Sequence, residues 1–472
     1  MKVLYVASEA LPFVASGGLA DVAGSLPFAL RKRLVGTRVV MPLYAKISDE
    51  MRSKMKYLCN FPVPVSWRMQ YCGVFEAHIG GVIYYFIDNE YYFKRDNLYG
   101  YYDDAERFAF FSRAVLEMLE HIDFKPDIIH CNDWQSALVP VYYSLYYAQK
   151  EKFWGSKTVF TIHNIQYQGQ YGMEILGDIV GVDEYNKSIV EYDGCVNFMK
   201  GAIETADAVT TVSNSYANEI LDPWYSHGLD TILKQRSYKL SGILNGIDYE
   251  NYNPETDENI EKNYNSDTFK DGKAACKKAL QREMGLPEKD VPLIGLVSRL
   301  VSHKGLDLVK AVLEELLATE DVQVVVLGSG DAEYEDFFRY IQSKYPEKCA
   351  VTIGFIPPLS RRIYAGADMF LMPSKSEPCG LSQMLALRYG TVPIVRETGG
   401  LRDSVKDSGD GFGNGFTFKN YNAHEMLYTI RRAIAGYYAE GWEILVKRAM
   451  ESDNTWSKSA NEYIKLYKSL LK

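Results

Sequence analysis

The chain has 472 residues, 47% of them hydrophobic and 24% charged, with a formal net charge of −9. That length exceeds what one ordinary core serves, so two or more domains are expected in a soluble globular protein. The negative balance excludes nucleic acid or an anionic membrane as a partner of the whole surface and leaves only local basic sites open. No apolar run approaches the ~20 residues of a spanning helix, and Met1 leads straight into a strand-like Lys2–Val6 rather than a signal peptide. The seven cysteines are scattered and odd in number. Reduced thiols in a cytoplasmic protein, with no metal site, are the expectation.

Taken in order, Lys2–Ala7 reads as an apolar strand, and Ala15 to Val22 opens a helix through Gly17-Gly18. Strand, glycine turn and helix make the first unit of a doubly wound sheet, where glycines admit a ligand and the helix start favours an anion. A plain tight turn is the commoner reason for such a glycine pair. Gly36–Pro42 is the second strand. Residues 57–88 alternate like antiparallel strands, an insertion on the parallel core. Residues 89–100 are aromatic and charged without strand periodicity and read as a loop, the kind of segment that carries binding residues. Residues 104–120 have helical spacing. Asp127–His130 and Lys157–Ile162 are strands that end in Asn132-Asp133 and His163-Asn164. Strand carboxyl ends line the ligand crevice of open α/β sheets, which makes Asp133 and His163 candidate site residues. A helix cap and a satisfied loop histidine are the alternatives. Ala208–Val212 repeats the pattern.

Ser241 to Asp248 is a strand and turn, and residues 249–292 are polar with weak apolar periodicity. A second βα series follows: Val291–Val297, Val322–Leu327, Val351–Phe355, Met369–Met372 and Val392–Val395. Two parallel α/β domains meeting near residue 240 are expected, with a cleft between them as the default substrate site. Arg299 and Lys304 follow the first strand of this series beside Gly305 and a helix start, where a planar fork and a point charge suit phosphate. A solvated cationic turn is the alternative. Ser374-Lys375-Ser376-Glu377-Pro378-Cys379-Gly380-Leu381-Ser382 lies between a strand and a helix. Backbone amides there favour an anion while Glu377 offers a hydroxyl acceptor; a carboxylate completing a helix cap explains it as well.

With these residues in view, the chain resembles the bacterial glycogen synthases and plant starch synthases that use ADP-glucose. The matching pieces run the whole length: Ser8-Glu9, Gly17 to Val22, Arg38-Val39 with Met41-Pro42, Tyr92-Phe93-Lys94-Arg95 with Tyr99-Gly100, His130 to Trp134, and Thr161 to Asn164. They continue through Asn245 to Asp248, Ser298-Arg299-Leu300, Lys304 to Asp307, Ser376 to Leu381, Thr398 to Leu401, and Trp456. The resemblance implies a GT-B fold: an α/β protein of two Rossmann-like, doubly wound parallel-sheet domains facing a deep cleft, residues 1–240 on the acceptor side and 241–455 on the donor side. A final helix, 456–472, is expected to pack back on the first domain. The implied reaction moves glucose from ADP-glucose to the non-reducing end of an α-1,4-glucan such as glycogen or a maltooligosaccharide, with retention. No cofactor and no metal are implied, and neither nucleic acid nor membrane is an expected partner.

By matching position, the resemblance gives Gly17, Gly18, Asp21, Arg299, Lys304, Cys379, Gly380, Leu381 and Ser382 to the donor, with the diphosphate between the glycines and the basic pair. Phe355 falls where a ring is expected against adenine. Asp133, His163, Asn245 and Glu377 surround the transferred glucose, with His163, Glu377, Arg299, Lys304 and Asp133 as the catalytic set, and Tyr92 and Tyr99 lie toward the acceptor. Three departures stand out. Ala15 replaces the family's lysine before the glycine pair, His303 replaces a common glutamine before Lys304, and Leu385 stands where some related transferases carry a second glutamate. Two other readings stay open: a transferase for another sugar nucleotide, and a silent glucan-binding protein on the same scaffold.

Overall fold

A computed structural model describes residues 1–472. The chain forms two compact units: Met1–Asn245 joined by Trp456–Lys472, and Gly246–Thr455. The division falls between Asn245 and Gly246.

In the first unit, β1 (Lys2–Val6), β2 (Gly36–Pro42), β3 (Lys56–Val65), β4 (Arg68–Ile79), β5 (Val82–Asp88), β6 (Ile128–Asn132) and β7 (Lys157–Ile162) come first. A small separate sheet follows from β8 (Gln170–Tyr171), β9 (Glu191–Tyr192) and β10 (Cys195–Asn197), and then β11 (Ala208–Thr211) and β12 (Leu240–Gly242). The main sheet runs β12-β11-β7-β6-β1-β2-β5-β4-β3. Val3 to Val6 have no exposed surface, as a parallel strand covered on both faces requires. The expectation that residues 57–88 are all an antiparallel insertion needs correction. β5 pairs parallel with β2, Arg38 against Ile83 through Pro42 against Ile87, so only β3 and β4 extend the core antiparallel. Residues 89–100 are not wholly loop either, since Glu90–Phe93 forms a helical turn capped by the Asn89 side chain.

The helix Trp456–Leu470 belongs to this first unit. Tyr467 Oη lies 2.7 Å from His130 Nδ1, and Arg33 donates to Ser457 Oγ at 2.6 Å. The last helix is thereby tied to the strand that ends in Asn132.

The second unit has one parallel sheet made of β13 (Leu293–Val297), β14 (Gln323–Gly328), β15 (Cys349–Ile353), β16 (Met369–Met372), β17 (Val392–Arg396) and β18 (Phe416–Phe418), in the order β15-β14-β13-β16-β17-β18. The sequence series omitted β18. It also left residues 249–292 without an element, yet Phe269–Glu283 is a helix of 15 residues. Its inner face is built partly of lysine: Lys273 Nζ reaches Ala365 O, Ala367 O, Tyr389 O and Thr391 Oγ1 at 2.8 to 3.2 Å. Lys277 pairs with Asp368 at 2.7 Å.

Both sheets reverse direction once. From β1 the first sheet grows one way through β2 and the other way through β6; from β13 the second grows one way through β14 and the other through β16. Ligands of open α/β sheets bind beyond the carboxyl ends at such switch points. No helix is long and apolar enough to cross a membrane.

Candidate active site

At the switch between β1 and β6, the first unit collects polar side chains from three neighbouring strand ends. After β1, Glu9 is 3% exposed. Its Oε2 accepts the Ser16 N–H at 2.5 Å, so it ties the strand end to the loop that carries Gly17 and Gly18. Burial raises the Glu9 carboxyl above its ordinary value, against amide and hydroxyl bonds from Ser16 and Gly17, with a smaller upward push from Asp21. Gly17 is fully extended and Gly18 begins the helix Gly18–Arg31. A Cβ on Gly18 would meet nothing within 4 Å. Asp21 sits in the first turn of that helix, and Ala15 is exposed.

After β6, Asp133 adopts φ 54° and ψ 178°, a strained backbone found mostly where surroundings over-determine it. Its Oδ1 accepts the His163 N–H at 2.7 Å and the Asn164 N–H at 3.4 Å. Burial pushes its carboxyl up to about 7; the two amides oppose the shift and Glu9 adds to it. After β7, His163 turns its Nε2 to Asn132 Oδ1 at 2.8 Å, and the same oxygen accepts the Tyr5 hydroxyl at 2.9 Å. Burial lowers the His163 imidazole to about 3, so it is neutral at physiological pH. Tyr99 Oη lies 2.8 Å from Ser8 Oγ, just past β1.

The second unit assembles its group across the β13/β16 switch. Arg299 is exposed after β13, and its guanidinium makes no hydrogen bond or ion pair. The chain then turns through Ser302–Lys304 into Gly305, at φ 75°. A Cβ on Gly305 would stand 2.1 Å from Pro373 O, and Lys375 N–H donates to His303 O at 2.9 Å. The two segments are thus in backbone contact. That contact sets Lys304 Nζ 2.7 Å from Glu377 Oε2, which also accepts the Ser374 hydroxyl at 3.0 Å. Burial, with Lys304 and Arg299 nearby, lowers the His303 imidazole.

The strand end after β17 braces this loop from the other side. Gly400 N–H donates to Glu377 O at 3.1 Å. Cβ atoms at Gly399 and Gly400 would fall 1.9 Å from Glu377 O and 2.0 Å from Cys379 O. Arg396 Nη1 donates to Lys375 O at 2.7 Å. Gly380 takes φ 71°, and Leu381 leads into the helix Ser382–Arg388, where Gln383 Nε2 holds Cys379 O and Gly380 O at 3.1 and 2.9 Å.

The structure therefore brings Asp133 and His163 together with Gly17, Gly18 and Asp21 in the first unit, and Lys304 with Glu377, Cys379, Gly380, Leu381 and Ser382 in the second. Phe355 stands beyond β15, 89% exposed. Asn245 follows β12, 4% exposed, and its Oδ1 is buried without a hydrogen bond. Tyr92 requires a correction. It has no exposed surface, packs on Phe110 at 4.8 Å between centroids and donates its hydroxyl to Glu106 at 2.5 Å. A core residue of that kind has no face to offer a glucan. Glu9, Asn132, Ser374 and Arg396 were not among the sequence candidates. Glu9 and Asn132 had a signal, since each is a polar residue at a strand's carboxyl end; the role of Arg396 needed the fold.

Comparison with known proteins agrees with this geometry. The starch synthase catalytic domain matches residues 2–235, and the domain of glycosyl transferases group 1 matches residues 277–449. The chain is 53% identical to a glycogen synthase of Geobacillus thermodenitrificans, covering 100% of this chain and 98% of that one. It is 51% identical to a glycogen synthase of Clostridium botulinum, covering 100% and 99%. The catalytic domain of starch synthase IV from Arabidopsis thaliana, solved with ADP and acarbose, superposes with a TM-score of 0.90 at 34% identity over 99% of both chains. Sucrose-phosphate synthase from Thermosynechococcus elongatus shares the fold, with a TM-score of 0.61 at 17% identity. On the residues, the sheets and these relatives together, the chain belongs to the bacterial glycogen synthase and plant starch synthase family, glycosyltransferases of the GT-B fold.

Proposed function

We propose that this chain transfers glucose from ADP-glucose to the non-reducing end of an α-1,4-glucan with retention of configuration, releasing ADP. The observation that carries the reading is the Lys304–Glu377 pair, locked by backbone contacts where the second sheet reverses. A cation for phosphate and an acceptor for sugar hydroxyls stand side by side, as a nucleotide sugar requires.

In this reading, the bond between the anomeric carbon and the terminal phosphate oxygen breaks, and ADP leaves with the electron pair. The acceptor's hydroxyl oxygen bonds to the same carbon and passes its proton to the departing diphosphate. Negative charge grows on the departing diphosphate while the anomeric carbon becomes cationic. Arg299 and Lys304 stabilise the first change most strongly in the transition state. The amides around Gly380–Ser382 add donors for the diphosphate, and in the first unit Gly18 leaves room for a ligand at its helix start, since no protein atom occupies the space a Cβ there would take. Asp133, His163, Asn245 and Glu377 take the hydroxyls of the glucosyl residue. Phe355 offers an exposed ring for adenine, and Tyr99 bonds Ser8, the residue before Glu9. The donor is a substrate and we assign no cofactor. The cytoplasm is the proposed location, in keeping with seven unpaired thiols.

Incubation with short maltooligosaccharides and either ADP-glucose or UDP-glucose tests the proposal. Release of ADP with longer chains, and much slower reaction with UDP-glucose, is expected. Binding of glucan with no nucleotide released would overturn it.

A further inference from the structure

Asn132 is fully buried between β1 and β7, and every polar atom of its amide has a partner. Its Nδ2 donates to Val6 O at 2.9 Å and reaches His130 O at 3.4 Å. Both are carbonyl oxygens, which only accept, so the amide cannot be turned round without setting oxygen against oxygen. Oδ1 is therefore fixed as the acceptor for the two groups that face it, the Tyr5 hydroxyl at 2.9 Å and His163 Nε2 at 2.8 Å. A ring nitrogen that meets an amide oxygen must carry a hydrogen. Burial keeps the imidazole neutral, and a neutral ring has one N–H. With that hydrogen on Nε2, Nδ1 is a bare lone pair, and no protein group bonds it.

We propose that Asn132 is a positioning residue that locks His163 in its Nε2–H tautomer, so that Nδ1 meets substrate only as a hydrogen-bond acceptor. The partner is then a hydroxyl that donates, which selects a sugar O–H over a carbonyl, phosphate or carboxylate oxygen at that spot. This rests on the reading that His163 touches the transferred sugar. The tautomer itself does not, and it can be read in the free protein.

Histidine-selective 15N NMR on the unliganded enzyme, with His163 assigned by loss of its signals in His163→Gln, gives the first test. A protonated Nε2 and an unprotonated Nδ1 are expected; an Nδ1–H ring, or an average of the two forms, overturns the proposal. Asn132→Leu removes the acceptor for Nε2–H, and a mixture of the two neutral tautomers is expected in the folded variant. A ring that stays wholly in the Nε2–H form in that variant would count against Asn132 as the controlling group.

The second test needs no variant at Asn132 and holds even if Asn132→Leu does not fold. Donor analogues with one sugar hydroxyl at a time replaced by hydrogen or by fluorine separate donating from accepting, because fluorine cannot donate. At one position both replacements should lower kcat/KM by roughly tenfold, and neither should cost more in His163→Ala. Recovery of rate with the fluoro analogue would mean that the ring donates, and the assignment would be wrong.

Discussion

Lys304 Nζ stands 2.7 Å from Glu377 Oε2, although the two residues leave different strands on opposite sides of the reversal in the second sheet. Gly305 makes this possible, since its backbone approaches Pro373 O more closely than a side chain would permit. Lys304→Ala removes a preorganised donor and leaves Glu377 without its cation in a mostly buried place. A kcat lower by on the order of 10²–10³, with a smaller change in KM for the donor, is expected. Arg299→Ala should act in the same direction, and Arg299→Lys should restore only part because the planar fork is lost. Steady-state kinetics decide it: near-normal kcat with only a raised KM would reduce the pair to binding residues.

Gly18 and Gly400 offer a contrast within one motif class. A methyl group on Gly18 meets no protein atom within 4 Å, whereas one on Gly400 lands 2.0 Å from Cys379 O. Gly18→Ala should leave stability unchanged or raise it by about 0.5–1 kcal/mol, because alanine suits a helix start better than glycine. It should still raise KM for the donor several-fold if the diphosphate approaches there. Gly400→Ala must displace the Glu377 loop, so it should lower both kcat and melting temperature. Thermal melts beside kinetics separate the two; loss of stability in Gly18→Ala would show that the glycine serves the fold.

Lys273 explains why one helix was illegible in the sequence. A reader of periodicity looks for apolar residues on the buried face, and Phe269–Glu283 puts Lys273, Lys277 and Gln281 there among Phe269, Cys276 and Leu280. The lysine stem packs and its ammonium satisfies carbonyls at the carboxyl ends of two helices, those of Ala365 and Tyr389. Lys273→Met keeps the stem and strands those oxygens. A loss of about 3 kcal/mol in denaturant unfolding is expected, with kcat of the folded enzyme unchanged.

Most of the parallel core was legible for the opposite reason. Apolar runs such as Val3–Val6 and Met369–Met372 are buried on both faces and announce themselves, and polar residues just past their ends mark the site. β5 looked antiparallel because its neighbour β4 is; which other strand it joined depends on β2, far away in sequence. Tyr92 misled through composition: an aromatic among charges resembles a binding loop, but Asn89 caps a helical turn that swings the ring into the core. The bracing of the Glu377 loop by Arg396 and Gly399 is long-range packing with no local signature.

Ala15 is exposed on the loop that Glu9 holds through Ser16. The remaining cations and amides of the second unit are proposed to suffice for the diphosphate, so the natural enzyme should be active. Ala15→Lys adds one solvent-exposed charge to the loop that is tied to the Glu9 carboxylate. A change in donor KM of a few-fold with kcat nearly constant is expected, shrinking as salt rises. An inactive parent rescued by this substitution would show that the other donor contacts are insufficient.

Asp133 links pH to both stability and rate. Its carboxyl titrates at about 7 in the folded chain against an ordinary 3.8. Between those values the folded state holds a proton that the unfolded chain has released, so this group's contribution to stability is full below pH 4 and is lost as pH rises toward 7. Asp133→Asn has no such proton to lose, its amide oxygen can still accept the His163 N–H, and a side chain of the same size adds no backbone strain beyond what aspartate already bears there. Relative to the parent, the variant's unfolding free energy should therefore climb between pH 4 and 7 and then level off. Activity should move the other way: kcat/KM for the donor rises through about pH 7 in the parent as the carboxylate forms, and that limb disappears in the slower variant. Urea unfolding of both proteins at pH 5 and pH 8 checks the sign. A stability difference that is equal at the two pH values, or larger at pH 5, would mean that Asp133 is already ionised in the folded chain and acts as an ordinary carboxylate.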